Sequence, residues 1–175
     1  MRVIRFQIQQ LKNHQTINRL LYERFIALRD SPDIRRTHFF AGRYENIYID
    51  RGQIPQIEPV LAAACAGAAE FLGQPGLILA VGYWFNEMQP GHITLPHRHD
   101  DDDELVSAAY YIRVPHDSGD LLLGGENERR AISPVPGQFV FFSPQLEHEV
   151  TENRSSDTRL SIGMNFGVRE TAACQ

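Results

Sequence analysis

Cysteine is scarce in this 175-residue chain, with Cys65 and Cys174 the only two. One falls in an apolar helical pattern and the other beside the C-terminus. That excludes a disulfide framework and makes a reducing, cytoplasmic setting the expectation. Long apolar runs are missing too. The longest, Val60 to Leu72, contains Glu70 and stops at Gly73, short of the roughly 20 residues a membrane span needs. The N-terminal stretch MRVIRFQIQQ mixes charges among its apolar residues, so no signal peptide is expected. Positive charge is not in excess. Seventeen Lys and Arg stand against 22 Asp and Glu, a net charge of −5. Nucleic acid and anionic membrane are therefore excluded as main partners. Internal repeats and low-complexity linkers are also absent.

What remains is an ordinary globular composition, 42% apolar and 22% charged. At this length one domain is the default, and roughly 70% of the unfolded surface can be buried without staples. The expected organisation is a single domain over 1–175. Residues 1–75 form a helical and extended support, 76–167 a β core and 168–175 a frayed tail.

In the support, Val3, Phe6 and Ile8 suggest a first strand. Ile17, Leu20, Leu21, Phe25 and Leu28 recur at helical spacing, with Thr16 as N-cap and Ser31-Pro32 as the stop. Residues 37–50 read as extended. Leu61, Cys65, Ala68 and Leu72 line a second helix, capped by Gly73. From Leu77 onward, short apolar or alternating runs recur between Gly, Pro and Asp: 77–86, 92–99, 105–114, 119–123, 131–133, 138–143, 147–151 and 158–167. Eight short strands at this spacing predict a closed or double-sheet β architecture. Helices ahead of them make the class α+β, mainly β. The segment 124–130 reads as a surface loop.

The chemistry concentrates in PGHITLPHRHDDDDE, in LEHEV and in TRLS. His97, His99 and Asp101 alternate in an extended segment, so they can share one face. His99 and Asp101 with the distant His148 make a 2-His-1-carboxylate set, which holds Fe(II) on one face and leaves positions open. His97 is the alternative to Asp101 as third ligand. The other acids of the run read as a solvated hairpin loop. Arg159, Ser161 and Gly163 share one strand face, and a guanidinium there can grip a carboxylate with two parallel hydrogen bonds. Trp84 and Asn86 either line the same cavity or pack in the core.

These elements, in this order, resemble the Fe(II)- and 2-oxoglutarate-dependent oxygenases, in particular the prolyl-hydroxylase-like branch. The resemblance rests on Pro90-Gly91 ahead of Arg98-His99-Asp100-Asp101, then Tyr110-Tyr111-Ile112, Ser118-Gly119, GQFVFFSP leading to His148-Glu149-Val150, and Arg159-Leu160-Ser161. It covers residues 77–167. It implies a double-stranded β-helix (jelly roll) backed by the N-terminal helices, with Fe(II) as metal and 2-oxoglutarate as co-substrate. Arg159, Tyr111 and Ser161 would bind the far carboxylate of that co-substrate. It also implies a dioxygenase that hydroxylates an amino-acid, peptidyl or other small substrate. The N-terminal 75 residues would help build the substrate pocket. Oligomeric state is left open.

A cupin is the competing reading. Gly91, His97-x-His99 and Glu104 fit its first metal motif, and Pro134, Gly137 and His148 loosely fit its second. The fold expectation is the same, but a cupin needs neither Tyr111 nor Arg159-x-Ser161. A non-catalytic sugar- or peptide-binding jelly roll is the third reading, and it leaves the His/Asp/His set without a purpose.

Overall fold

The structure is a computed structural model that describes residues 4–99, 103–125 and 127–168. The support contains β1 (Phe6–Gln10), α1 (His14–Leu28), β2 (Arg35–Phe40), β3 (Arg43–Tyr48) and α2 (Glu58–Phe71), the last entered through a single 3₁₀ turn. The core follows as β4 (Leu79–Met88), β5 (Thr94–His97), β6 (Glu104–Arg113), β7 (Leu121–Leu123), β8 (Arg130–Ile132), β9 (Gln138–Phe142), β10 (His148–Val150) and β11 (Arg159–Val168). All eight strands expected from the sequence form, and only their ends move.

The strands assemble into two antiparallel sheets. One has the order β1-β9-β6-β11-β4-β3-β2 and the other β5-β10-β7-β8. The jelly-roll expectation holds. So does the extended reading of 37–50, which folds as the β2–β3 hairpin on the edge of the large sheet.

Two apolar cores follow from this layering. On the outer face of the large sheet, Leu21 and Phe25 of α1 and Val60, Leu61, Ala64 and Ala68 of α2 meet Phe85, Tyr110, Phe139, Phe141, Ile162 and Phe166. Fully burying side chains of this size contributes about 1.5–3 kcal/mol each. Gly67 lets α2 settle close to the sheet, since a Cβ there would lie 2.5 Å from the Phe141 ring. A smaller cluster of Tyr111, Leu121, Leu123, Ile132, Val140 and Phe142 lies between the sheets.

One buried polar link ties α1 to the core. Asn18 donates to the carbonyls of Tyr111 and Ile112, and the Tyr110 hydroxyl donates to Asn18 Oδ1 at 2.6 Å. This fixes the height of β6 and hence of Tyr111.

The helix ends correct one expectation and bear out another. Thr16 does not cap α1. Asn13 does so, in the left-handed region at φ 56° and without a side-chain capping bond. Asparagine tolerates that conformation better than threonine. Gly73 follows α2 at φ +73°, as a C-terminal stop requires. The loop expected at 124–130 ends one residue early, because Arg130 opens β8. Val168, expected in the tail, closes β11, and residues 169–175 lie outside the described residues. Among the described residues no helix is long and apolar enough to cross a membrane.

Candidate metal centre and its two cavities

The site lies between the sheets, on the inner face of the strand trio β4-β11-β6. The even-numbered residues Leu160, Ile162, Met164 and Phe166 of β11 join the helix-side core. Strand alternation therefore turns Arg159, Ser161, Gly163 and Asn165 toward the small sheet. Register then builds three rungs. Ser161 stands between Asn86 and Tyr111, Gly163 between Trp84 and Ala109, and Asn165 between Gly82 and Ser107.

Above these rungs, β5 and β10 bring His97 directly opposite His148. The ring centroids are 4.1 Å apart for His97 and His148, 5.2 Å for His99 and His148, and 5.4 Å for His97 and His99. The three imidazoles can each offer one nitrogen such that all three atoms lie within 4.8 Å of one another. The main chain of His99 is also pinned, its N–H donating to the Pro144 carbonyl at 3.0 Å.

The outward nitrogens are spoken for. His97 Nδ1 meets the Leu95 carbonyl at 2.8 Å, and His148 Nδ1 meets the Leu146 carbonyl at 2.9 Å. A carbonyl only accepts, so Nδ1 carries the proton in both rings and Nε2 presents its lone pair inward. His148 is held neutral. Burial lowers its pKa to about 3, and the neighbouring His97 and His99 act in the same direction against the Leu146 bond. Imidazole nitrogens converging on one point are what a divalent metal needs, so these residues fit one.

Asp101, the expected carboxylate ligand, lies outside the described residues. Glu104, the acid of the cupin-like set, stands behind His99 instead, with Oε2 3.7 Å from Nδ1.

Below the histidines is an inner cavity of about 80 Å³, reached by Tyr111, Arg159, Ser161 and Asn86. Arg159 is 2% exposed, and its Nη1 donates to the carbonyls of Ser118 and Gly119 at 3.2 and 2.7 Å. Gly119 is required for that cradle. Its φ is +93°, and a Cβ would lie 2.3 Å from the Thr151 carbonyl oxygen. Burial pulls the Arg159 pKa down, opposed by Tyr111 and Asp120. Among the described residues no carboxylate forms an ion pair with it.

Arg159 Nε and the Tyr111 hydroxyl are both buried and have no hydrogen-bond partner among the described residues, and the guanidinium carbon sits 5.2 Å from the Tyr111 ring centre. Such groups are costly unless a ligand completes them. A buried cation and an idle hydroxyl facing one cavity suit a carboxylate, so the expected co-substrate residues fit that group. Ser161 is buried beside them.

A second cavity of about 520 Å³ adjoins His97 and His99, and Trp84, Asn86, Thr94 and Asn165 line both cavities. Trp84 lies flat against the strand because residue 163 is glycine; a Cβ there would be 2.4 Å from the indole. The β2–β3 hairpin closes the far wall with His38, Glu45, Asn46 and Tyr48. Arg43 locks that hairpin in place, bonding Asn86 Oδ1, Glu45 and the carbonyls of Glu87 and Ile93.

Sequence reasoning missed Arg43, Asn165 and the position of Glu104. Asn165 could have been found by continuing the alternation of Arg159, Ser161 and Gly163 by one more step. Arg43 carried no signal, since its role depends on which strand the hairpin joins.

Comparison with known proteins adds to this geometry. Residues 83–167 match the family model of the 2OG-Fe(II) oxygenase superfamily. No curated protein sequence matches the chain. Among solved structures, a Pseudomonas putida prolyl-4-hydroxylase is 23% identical, with a TM-score of 0.73 over 94% of both chains. A Trichoplax adhaerens prolyl hydroxylase, in complex with a hypoxia inducible factor peptide fragment, is 15% identical, with a TM-score of 0.68 over 93% of this chain and 83% of that one. EvdO2 from Micromonospora carbonacea var. aurantiaca, complexed with 2-oxoglutarate, is 15% identical, with a TM-score of 0.64 over 98% and 90%. At these identities the likeness is one of fold.

Proposed function

This chain belongs to the 2OG-Fe(II) oxygenase superfamily, and on that premise we propose that His97, His99 and His148 hold Fe(II) while Arg159, Tyr111 and Ser161 hold 2-oxoglutarate. The outer cavity takes a polar small molecule or peptidyl side chain. The observation that carries this reading is the cluster of three imidazoles at the inner cavity, which ends in the buried Arg159 guanidinium, with His97 and His99 lining the second cavity as well.

With Fe(II), 2-oxoglutarate and O2 bound, the site would have the oxidising power needed to insert oxygen into a C–H bond of the substrate. The chain's own residues bind and orient. Carbonyl bonds at Leu95 and Leu146 hold two imidazoles in the tautomer that presents Nε2. The Arg159 guanidinium, cradled by Ser118 and Gly119, offers a directional contact to a carboxylate, and the Tyr111 hydroxyl adds a donor. Burial keeps Tyr111 protonated, by raising its pKa. Trp84 and Asn86 form the partition where co-substrate and substrate sides meet. The polar wall from His38, Asn46 and Tyr48 supports a substrate with hydrogen-bonding groups.

Trp84 is the sole tryptophan and lies 6.1 Å from His99, ring centre to ring centre. Its fluorescence therefore reports the metal. Anaerobic Fe(II) is expected to quench it saturably with one equivalent per chain. Quenching that never saturates, or that survives loss of all three histidines, would remove the reading.

A further inference from the structure

One backbone angle in β2 departs from its strand. His38 has φ 56°, a left-handed conformation that few residues other than glycine adopt, though histidine tolerates it better than most. The register pairs Thr37 with Asn46 and Phe39 with Tyr44. Strict alternation would therefore turn His38 away from Thr37 and Asn46. The positive φ brings its ring back to their side, with Nδ1 2.8 Å from Thr37 Oγ1 and 3.1 Å from Asn46 Nδ2. The ring thus joins Asn46 and Tyr48 on the wall of the outer cavity. Strain of this kind persists only where the surroundings hold it, and it gathers at ligand sites.

The surroundings do hold it. Besides the Arg43 bonds, Arg36 of β2 donates to the carbonyls of Ile34 at 3.0 Å and Ser31 at 3.3 Å, and to that of Arg29. The wall is formed ahead of any substrate, which lowers the ordering cost of binding one.

Hydrogen-bond direction says what the wall offers. An amide NH2 only donates. Asn46 Nδ2 faces His38 Nδ1 and donates to the Tyr48 hydroxyl oxygen at 3.3 Å. Nδ1 therefore accepts, and the neutral His38 ring carries its proton on Nε2. The Tyr48 oxygen also accepts, so its own hydrogen is left to give. Among the described residues neither hydrogen meets an acceptor.

Charge then selects the acceptor. Glu45 pairs with Arg43 at 3.1 Å, Arg98 pairs with Glu147 at 3.1 Å, and Glu104 accepts from Asn165. Arg35 stacks on the Tyr48 ring at 3.8 Å and forms no ion pair among the described residues. Two donors beside an unpaired cation suit a carboxylate better than an amide carbonyl.

We propose that His38 and Tyr48 form a substrate subsite for a carboxylate, which accepts from His38 Nε2–H and from the Tyr48 hydroxyl beside the Arg35 charge. Asn46 is the positioning residue that aims both donors. The inference deepens the proposed function and rests on its assignment of the outer cavity to the substrate.

The test uses the full chain without metal. The His38 ring resonances are followed by NMR as acetate or acetamide is added, a readout local to this wall. Acetate is expected to shift them saturably, and acetamide to bind roughly 10-fold more weakly at least. Tyr48→Phe is expected to weaken acetate by roughly 10-fold. His38→Asn keeps a residue at home at positive φ and removes the ring. Acetate binding, read there on the Tyr48 ring, is expected to fall roughly 10-fold while the melting temperature is unchanged or raised. Glycine, N-acetylglycine and N-acetylaspartic acid α-amide carry the carboxylate on a free amino acid, at a peptide C-terminus and on a peptide side chain. The tightest of the three identifies the source. Equal response to acetate and acetamide, or wild-type acetate binding in both variants, would overturn the inference. The Fe(II) titration of Trp84 is independent of this one, so failure of the metal reading and failure of the subsite are told apart.

Discussion

His97 stands directly opposite His148 across the β5–β10 pair, with ring centroids 4.1 Å apart. Each ring sends Nδ1 to the carbonyl two residues before it. The two are mirror-like halves of one grip, and the third ring, His99, enters from the end of β5.

That pairing is what supports the proposal that His97 is a metal ligand. His97→Ala and His148→Ala are each expected to weaken Fe(II) binding by at least about 100-fold, more than loss of an outer partner costs. Asp101→Ala is expected to keep most of the affinity. Equilibrium dialysis against buffered Fe(II) under anaerobic conditions checks all three. Retained iron in His97→Ala with lost iron in Asp101→Ala would give the third position to the carboxylate.

Tyr111 offers a test of function against stability. Its buried hydroxyl has no hydrogen-bond partner among the described residues, and leaving such a group unsatisfied costs about 1–3 kcal/mol. Tyr111→Phe is therefore expected to leave the ligand-free protein as stable as wild type or up to about 1 kcal/mol more stable, while co-substrate affinity falls several-fold. Chemical denaturation with and without 2-oxoglutarate separates the two effects. A Phe variant that is less stable without ligand and unchanged in affinity would mean that the hydroxyl serves the fold.

The pH dependence of the metal-free protein follows from His148. Its pKa is lowered from 6.5 to about 3 on folding, chiefly by burial. The unfolded chain thus takes up a proton at higher pH than the folded one. The contribution of this residue is whole above pH 6.5 and is lost progressively as pH falls through 6.5 toward 3, up to about 4–5 kcal/mol. His148→Gln is expected to flatten the stability–pH slope in that window by about one proton. Identical slopes for the two proteins would contradict the shift.

Gly163 is the position where the Trp84 wall depends on a missing side chain. A Cβ there meets the indole at 2.4–2.6 Å, and overpacking of this kind costs about 1–3 kcal/mol. Gly163→Ala is expected to lower the melting temperature, shift the Trp84 emission maximum and weaken quenching by Fe(II). An unchanged emission spectrum would show that the indole does not lie against the strand.

Much of this was legible in the sequence. Gly, Pro and Asp punctuate residues 77–167 into the eight strands that form, and alternation along β11 placed Arg159, Ser161 and Gly163 on one face. Local signals carry that far because strand period and turn chemistry are local. The opposition of His97 and His148 was not legible. It depends on pairing between segments fifty residues apart, and the β5–β10 register slips between His148 and Val150. Glu104 read as a solvated acid or, in the cupin reading, as part of a metal motif, and its place beside Asn165 was not legible because only the neighbouring β11 brings the two together. The cap at Asn13 rather than Thr16 reflects a backbone conformation that residue type alone does not specify.

We propose that an iron held by the histidines shares a cavity with a co-substrate anchored on Arg159. A bidentate contact to a buried carboxylate is charge-assisted, and its loss should cost about 2–5 kcal/mol, roughly thirty- to several-thousand-fold in affinity. The most direct measurement is the visible metal-to-ligand charge-transfer band of the anaerobic Fe(II)–2-oxoglutarate chelate, titrated in wild type and in Arg159→Ala. The wild type is expected to give a saturable band, and the variant the same iron content with a midpoint shifted by at least about thirty-fold. Iron-loaded wild type with no band at millimolar 2-oxoglutarate would contradict it.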